Sequence, residues 1–551
     1  MVRNTIHPVQ NRPYILTETL IRLLIMGIKA TRIRRSNLLL LCNSWTMRIA
    51  CVVLVIFPTL QRLSAQDDTL RTDTCAEPMT HWEFTLEDVI VAAQSKSLPA
   101  MIAKYSFISS YWEFRSYKAQ FLPSLNLNAG LGQYNRSLVP LQDAETGETH
   151  YVQNDNMNNW LQLSIDQNIP WTGGIISLNT YLNRFDQFSP YGSMTWNSNP
   201  VNIYLQQPIF QYNRLKWERK TEPKKYERSK KKYLEDLEDI AITATRYFFT
   251  VLRTQESLEM ARRRYENTRQ LYDIAQERFN IGTYTKDELL QMELQVLNAE
   301  IAVASSEVEL RQAMLSLKSY LGMGDDTDLT LIRPQHYSNI EIDEEEAVRR
   351  SLENTTFSLD NELNLIEAEA AIAQAKSERG FSAMLTAQFG LTQTGSEFTS
   401  SYRNPMDQEI VGLTLSVPIL DWGLGKGKVQ MARTQQEIVL AQVEQEVMQR
   451  RQDIYIRVVQ FNAQSQQCDV SQKADAIAGE RYELALQRFR NGTIGILEMN
   501  TAQNERDEAS AQYIEELANY WSYYYNLRKD TLYDYIYGKD LDAEFDKLIE
   551  D

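Results

Sequence analysis

The chain has 551 residues, of which 43% are apolar and 10% aromatic, so it can form several folded domains and is not broadly disordered. Its net charge of −16 argues against a general nucleic-acid-binding protein, because such proteins need a basic surface for the phosphate backbone. No run of about 18 or more apolar residues occurs. This excludes a membrane-spanning helix but not a β-barrel, whose strands alternate apolar and polar residues.

The N-terminal segment is predicted to be a targeting sequence. A basic residue precedes an apolar stretch from Ile49 to Leu60, and small residues ending in Ala65 follow it. This order is typical of a secretory signal peptide. Residues 1–65 are therefore interpreted as an upstream extension plus signal peptide, and the mature chain is expected to begin at Gln66.

Alternating apolar and polar residues predict strands. The alternation covers 125–131, 161–168, 176–183, 201–206, 385–391 and 411–417. We expect all six segments to belong to one sheet; if 160–183 folds elsewhere, four remain. The pattern is typical both of a soluble β-sandwich and of an outer-membrane barrel, so by itself it does not decide between them.

Apolar residues at 3- and 4-residue spacing predict long helices. They cover 84–118, 211–280, 285–321, 346–380, 422–490 and 496–528. Twice along the chain, a helix of about 70 residues, roughly 105 Å long, is matched in length by two shorter ones. A folded monomer cannot bury the apolar stripes of such a rod, so we expect it to associate with neighbours.

An internal repeat connects these elements. Six residues of the segment ending at Thr283 recur 210 positions later in the segment ending at Thr493. The repeated pairs are Tyr272 and Tyr482, Ala275 and Ala485, Arg278 and Arg488, Phe279 and Phe489, Gly282 and Gly492, and Thr283 and Thr493. Upstream, where Leu125 matches Leu385, the offset is 260. The chain is therefore interpreted as a tandem duplication whose first copy holds about 50 extra residues, among them the turn Pro170–Gly174 and the strands on either side of it.

The sequence offers no catalytic or metal-binding constellation, so we expect no enzyme activity and no cofactor. His81, His150 and His336 lack a second histidine at ligand spacing. The run Gly423–Lys428 follows a strand and opens a helix, but it lacks the spacing of a phosphate-binding loop and is interpreted as a joint. A basic cluster at 224–232 has two interpretations, a solvated helix face or a contact with anionic lipid head groups.

Several segments together resemble the TolC-like outer-membrane efflux proteins over essentially the whole mature chain. The resemblance is carried by Leu86–Val89, Leu122–Leu125, Gln207–Phe210, Val417–Leu420, the Arg-Phe-x-x-Gly-Thr motif at both helix-hairpin tips, and Ala502 with Gln503. It implies an α+β membrane protein in which a trimeric outer-membrane β-barrel is continued by a long periplasmic α-helical barrel, built from two tandem structural repeats. Family members commonly have four strands per chain. The expected six, hence 18 in a trimer instead of 12, are a departure from that pattern.

The domain prediction follows the repeats. It consists of an upstream extension and signal peptide (1–65), a first repeat (66–321), an equatorial linker (322–345), a second repeat (346–528) and an acidic periplasmic C-terminal tail (529–551).

The resemblance also implies a function, that of a passive exit duct in a tripartite efflux or type I secretion system. The chain would lie in the outer membrane with a large periplasmic portion, as a homotrimer that contacts outer-membrane lipid, a periplasmic adaptor (membrane fusion) protein and an inner-membrane efflux pump, but no nucleic acid. The adaptor would dock at Arg278, Phe279, Gly282, Thr283, Arg488, Phe489, Gly492 and Thr493. The residues leave open an alternative, a secreted or surface coiled-coil structural protein with a soluble β domain.

The resemblance further implies an acidic gate at the periplasmic end. Glu498 matches the first acidic position of the family, Thr501 stands where the second acid is expected, and Glu288 is the duplicate of Glu498. Three copies of Glu498 around a threefold axis would form a ring that favours cations. The alternative is a solvated Glu498 on the first turn of a helix, where the helix dipole favours an acid.

Overall fold

The computed structural model of the chain describes residues 81–142, 146–189, 192–324, 328–334, 337–491 and 493–550. The expected signal segment lies outside these residues. The helices are α1 (Leu86–Lys96), α2 (Leu98–Ala119), α3 (Arg214–Asn280), α4 (Lys286–Leu321), α5 (Glu344–Asn354), α6 (Thr356–Arg379), α7 (Leu424–Arg490), α8 (Ile496–Thr531) and α9 (Phe545–Glu550). The strands are β1 (His81–Phe84), β2 (Ser124–Gln142), β3 (Thr149–Ile169), β4 (Gly174–Ser189), β5 (Ser193–Ile209), β6 (Asp328–Leu331), β7 (Ser382–Gly395), β8 (Met406–Ser416), β9 (Tyr533–Asp534) and β10 (Lys539–Asp540).

The two copies of the repeat give helices of equal length. Helices α3 and α7 each have 67 residues, about 100 Å, and α4 and α8 each have 36. Helix α4 packs on α3, α3 on α8 and α8 on α7, which makes a layer of four helices with α4 and α7 outermost. Among the described residues, no helix combines the length and hydropathy needed to cross a membrane. The predicted long hairpins are confirmed.

The two shorter stretches next to the sheet are each broken into two helices, α1 with α2 and α5 with α6. The sequence predicted one continuous helix for each, over 84–118 and 346–380. The first breaks at Ser97, whose hydroxyl accepts a hydrogen bond from the Ala100 amide at 3.2 Å and so begins α2. The second breaks at Thr355. There the carboxylate of Glu235, a residue of α3, accepts a hydrogen bond from the Thr356 amide at 2.9 Å. This bond takes the place of a local N-cap for α6. The second break depends on a side chain 121 residues away, which a local pattern does not show.

Six antiparallel strands form one sheet in the order β2-β3-β4-β5-β7-β8. The expectation of six strands per chain is confirmed, and the extra residues of the first copy supply β3 and β4. The turn between these two strands is held against the segment that leaves β5, because the Asn213 side-chain amide donates to the Pro170 carbonyl at 3.0 Å and that of Gln207 to the Thr172 carbonyl at 3.2 Å. The inserted hairpin is therefore anchored where the sheet joins α3.

The main hydrophobic core lies near the middle of α3, where the linker between the repeats crosses the helices. Leu329, Leu331 and Ile342 of the linker are buried with Phe248 of α3 and Leu517 of α8. Strand β6 of the linker pairs in parallel with β1, the strand that precedes the first helix. The linker thus holds the two repeats together at one level of the rod.

Charged side chains at the end of α8 join the two repeats. The Arg528 guanidinium bridges Glu238 of α3 and Asp534 of β9 at 2.9 Å each, and Lys529 pairs with Asp239 at 2.7 Å. Glu238 is 3% exposed, and burial raises the pKa of its carboxyl to about 7. One buried cation therefore faces two buried carboxyls.

This arrangement predicts a pH-dependent stability. Because Glu238 has a raised pKa in the folded state, the folded chain binds more protons than the unfolded chain between about pH 4.5 and about pH 7. Stability should fall as pH rises through that window. Glu238→Gln should remove this pH dependence, so the difference in free energy of unfolding between the variant and the wild type should change by up to roughly 3 kcal/mol across the window. Guanidinium unfolding in detergent at several pH values measures the free energy of unfolding of both proteins.

The control is Glu227→Gln, an exposed acid on the same helix, which should follow the wild type at each pH. Parallel stability curves for the wild type and Glu238→Gln would contradict the role given to Glu238.

Candidate functional site

The sheet exposes its apolar face. Leu127, Leu163, Leu178, Ile203 and Leu413 point to the same side of their strands, and each is at least 40% exposed. A soluble sandwich would bury this face against a second layer. The alternative of a soluble β domain therefore does not fit the sheet, whose apolar face needs an apolar environment outside the chain.

Polar side chains on the opposite face are hydrogen-bonded to one another. The Asp166 carboxylate accepts from Asn126 and Ser164 at 2.9 Å each. Asn202 donates to Asn179 at 3.1 Å on the neighbouring strand. Such a face suits water, so the sheet is apolar on one side and polar on the other, as in a barrel wall that encloses a polar interior.

Both lateral sides of the described part of the chain carry groups without a partner, first in the sheet and then in the helices. Within the described residues, β2 and β8 each pair on one side only. Below them, the outermost helices carry exposed apolar residues every seven positions. These are Leu294, Ile301, Val308 and Leu315 on α4, and Val470, Ile477 and Leu484 on α7. Sequence reasoning missed these two stripes, although their heptad spacing is visible in the sequence.

The repeated tip motif forms the same turn twice. At the first tip, the Thr283 amide and hydroxyl both donate to the Arg278 carbonyl, at 2.9 and 2.8 Å, and Gly282 has a φ of 78°. At the second, Thr493 donates both bonds to the Arg488 carbonyl at 2.9 Å. A left-handed glycine and a threonine thus end the first long helix, and the same threonine bonds end the second. The turn by itself explains why the threonine recurs.

The tip residues differ in exposure. Thr283, Thr493 and Arg488 are exposed, while Arg278 is half-buried and lies over the Tyr284 ring at 5.6 Å. Phe489 is only 8% exposed, in a cluster with Tyr482 and Met499, and Phe279 is half-buried. Phe489 therefore packs inside the tip, and its expected part in docking stays a prediction. Gly492 lies outside the described residues.

The duplicated acids of the expected gate have different surroundings. The Glu288 carboxylate accepts from the Thr285 amide at 2.7 Å and completes a capping box, and these bonds lower its pKa. Glu498 is exposed, and its carboxylate has no hydrogen-bond partner among the described residues, since Gly495 stands where Thr285 does in the first copy. The Thr501 hydroxyl donates to the Leu497 carbonyl at 2.8 Å.

Acidic groups already occupy the other candidate sites. Asp421 accepts from the amides of Gly423 and Gly425 at 2.9 and 2.8 Å, so a carboxylate fills the position that a phosphate would take at the start of α7. In the basic cluster, Lys224, Arg228 and Lys232 pair with Glu362, Asp360 and Asp236. Among the described residues, no group of three His, Cys, Asp or Glu side chains is placed to hold a metal ion.

Comparison with known proteins agrees with these features. A family model described as outer membrane efflux protein matches residues 177–323 and 358–529. No curated protein matches the chain. The fold is similar to that of the Campylobacter jejuni CmeC outer membrane channel, with a TM-score of 0.60 at 14% identity, over 84% of this chain and 88% of that one.

Two further solved structures are similar. The outer membrane protein VceC of Vibrio cholerae has a TM-score of 0.56 at 12% identity, over 81% of this chain and 95% of that one. A membrane protein from Pseudomonas aeruginosa has a TM-score of 0.58 at 14% identity, over 84% and 92%. Since the family model matches more than half of its length, the chain belongs to the outer membrane efflux protein family and lies in the outer membrane, with a large helical portion in the periplasm.

Proposed function

We propose that the chain is the exit duct of a tripartite efflux or type I secretion system and conducts substrates passively from the periplasm to the outside. The sheet carries the proposal, because it exposes an apolar face to one side and a hydrogen-bonded polar face to the other. The solved structures of CmeC and of Neisseria gonorrhoeae MtrE are described as outer membrane channels, which supports the same reading.

The duct is a homotrimer in this proposal. Backbone groups in lipid must be hydrogen-bonded, so the free edges of β2 and β8 must find partners. Pairing β8 of one copy with β2 of the next uses both edges and closes a ring. Three sheets of six strands give an 18-stranded barrel. The same operation brings the apolar stripe of α4 against that of α7 and continues the ring as a helical tube.

The helix tips, farthest from the sheet, are where the periplasmic adaptor docks in this proposal. Arg488, Thr283 and Thr493 offer exposed side chains there. Gly282 shapes the turn, whereas the buried Phe489 keeps it rigid. The energy for transport comes from the inner-membrane pump behind the adaptor, and the chain itself performs no chemistry.

Glu498 is proposed as the acid of the periplasmic gate. Its carboxylate is exposed and uncapped, whereas that of Glu288 is held by Thr285. A threefold axis would gather three such carboxylates at the narrow end of the tube, and they would favour cations over anions.

The trimer predicts the effect of charge within the α4 stripe. Ile301→Asp should destabilise the trimer by about 1.5–3 kcal/mol per interface, because it loses the burial of one apolar side chain and places a charge there. Light scattering of the detergent-purified protein measures the mass. Ala302→Asp, the exposed neighbour on the same helix, should remain a trimer. An unchanged mass for Ile301→Asp, or a monomeric wild type, would contradict the proposed trimer.

The gate predicts a change in ion selectivity. In planar bilayers the wild type should form cation-selective channels that multivalent cations block from the periplasmic side. Glu498→Gln should lower both the selectivity and the block, because it removes the ring of charge. Glu288→Gln is the matched control and should behave as the wild type, since glutamine also completes a capping box. Wild-type behaviour in Glu498→Gln would remove Glu498 from the gate, and a wild type without conductance would refute the duct.

A further inference from the structure

The joints between the sheet and the helices form a basic region on an acidic chain. We define the junction belt as residues 112–122, 210–222, 374–382 and 416–428, the four segments that connect β2, β5, β7 and β8 to their helices. These segments hold ten Lys and Arg against five Asp and Glu, in a chain whose net charge is −16. Positive charge is therefore concentrated at one level of the molecule.

Large aromatic side chains are exposed at the same level. Trp422 is 90% exposed and Trp171, in the turn before β4, 77%. Phe210, Trp112 and Phe381 are exposed as well. Indole rings with one polar group are typical of the boundary between hydrocarbon and water, where the ring is covered and the N–H is hydrated.

Most bases of the junction belt lie against aromatic rings or form no ion pair with a described residue. Lys118 lies over the Phe114 ring at 4.4 Å and Lys220 over the Trp217 ring at 4.5 Å. Lys216, Arg219 and Lys220 are exposed, and none of them forms an ion pair with a described residue. Elsewhere in the belt, Arg214 pairs with Glu218 and Lys428 with Glu378.

The bases just below the belt behave differently. There, Lys224 and Arg228 of α3 pair with acids of α6 and Lys232 pairs with Asp236 of its own next turn. Lys230 lies over the Tyr226 ring, and Lys231 donates to the Glu353 carbonyl. On α3, three exposed cations without an ion pair among the described residues lie together at Lys216, Arg219 and Lys220, and ion pairs with α6 begin at Lys224. The exposed belt cations can therefore meet an anion from outside the chain, whereas Lys224, Arg228 and Lys232 already face acids of this chain.

We propose that the junction belt binds the phosphate groups of anionic phospholipids in the periplasmic leaflet of the outer membrane. The inference rests on the proposed duct, because it requires the sheet to span the bilayer. Arg214 to Lys220 cover about 9 Å along α3, close to the thickness of a head-group layer of roughly 5–8 Å. The aromatic rings cover the acyl boundary while the cations meet the phosphates, which a soluble anion would not require.

A titration followed by tryptophan fluorescence tests the proposal. The protein is titrated in mixed micelles with phosphatidylglycerol, and phosphatidylcholine serves as the neutral reference. The wild type should prefer phosphatidylglycerol, and added salt should weaken the preference. The triple variant Lys216→Gln, Arg219→Gln, Lys220→Gln should lose about a hundredfold in this preference, at about fivefold per charge. The control Arg269→Gln, Lys286→Gln, Lys473→Gln removes three exposed bases from the rod and should keep it.

Each outcome decides the proposal. An equal preference for phosphatidylglycerol in the belt variant and the wild type overturns the proposal. Competition by inorganic phosphate, at concentrations similar to that of the lipid, also overturns it, because such competition indicates a site for soluble anions. If the belt variant does not fold, the salt-sensitive preference of the wild type alone supports the proposal, and its absence overturns it. Conductance in neutral bilayers separates the two inferences, because a conducting channel without lipid preference overturns only the belt, whereas a chain that forms no channel refutes the duct.

Discussion

In the proposed duct, the sheet must satisfy its backbone hydrogen bonds while its exposed apolar face meets lipid, and the rest of the structure is consistent with that requirement. Six strands leave two open edges, and neither edge has a partner among the described residues. In lipid such edges are not tolerated. The two outermost helices, α4 and α7, also carry exposed apolar stripes. One lateral contact, repeated around a ring, would satisfy the whole length of the molecule.

The helical rod reaches its length by duplication. Two hairpins with long arms of 67 residues and short arms of 36 match because they derive from one repeated unit. Each hairpin reverses where a threonine amide donates to the carbonyl of an arginine five residues earlier, and the linker with its parallel strand pair joins the two at mid-height. The inserted β3-β4 hairpin changes the sheet and leaves this helical plan intact, since an even number of strands returns the chain to the same side.

Charge is arranged by level along the molecule. At mid-height, Arg528 and Lys529 of the second repeat bind acids of the first, so the two halves are held by one buried and one half-exposed ion pair as well as by packing. Near the sheet, cations outnumber acids and lie against aromatic rings. At the tips, the two copies have diverged, because Thr285 caps its helix with Glu288 whereas Gly495 leaves Glu498 free. This divergence makes only one of two related acids available for function.

The sequence by itself determined the duplication, the six strands, the four long arms and the family, because periodicity and repeated motifs are local and survive without tertiary contacts. Only the tertiary structure decided what each residue does. It buried Phe489 inside the tip, paired the basic cluster of α3 with acids of α6, and began α6 with Glu235 from 121 residues away. It also showed that the apolar face of the sheet is exposed. These outcomes depend on which distant groups meet in space, and residue spacing along one chain does not encode that.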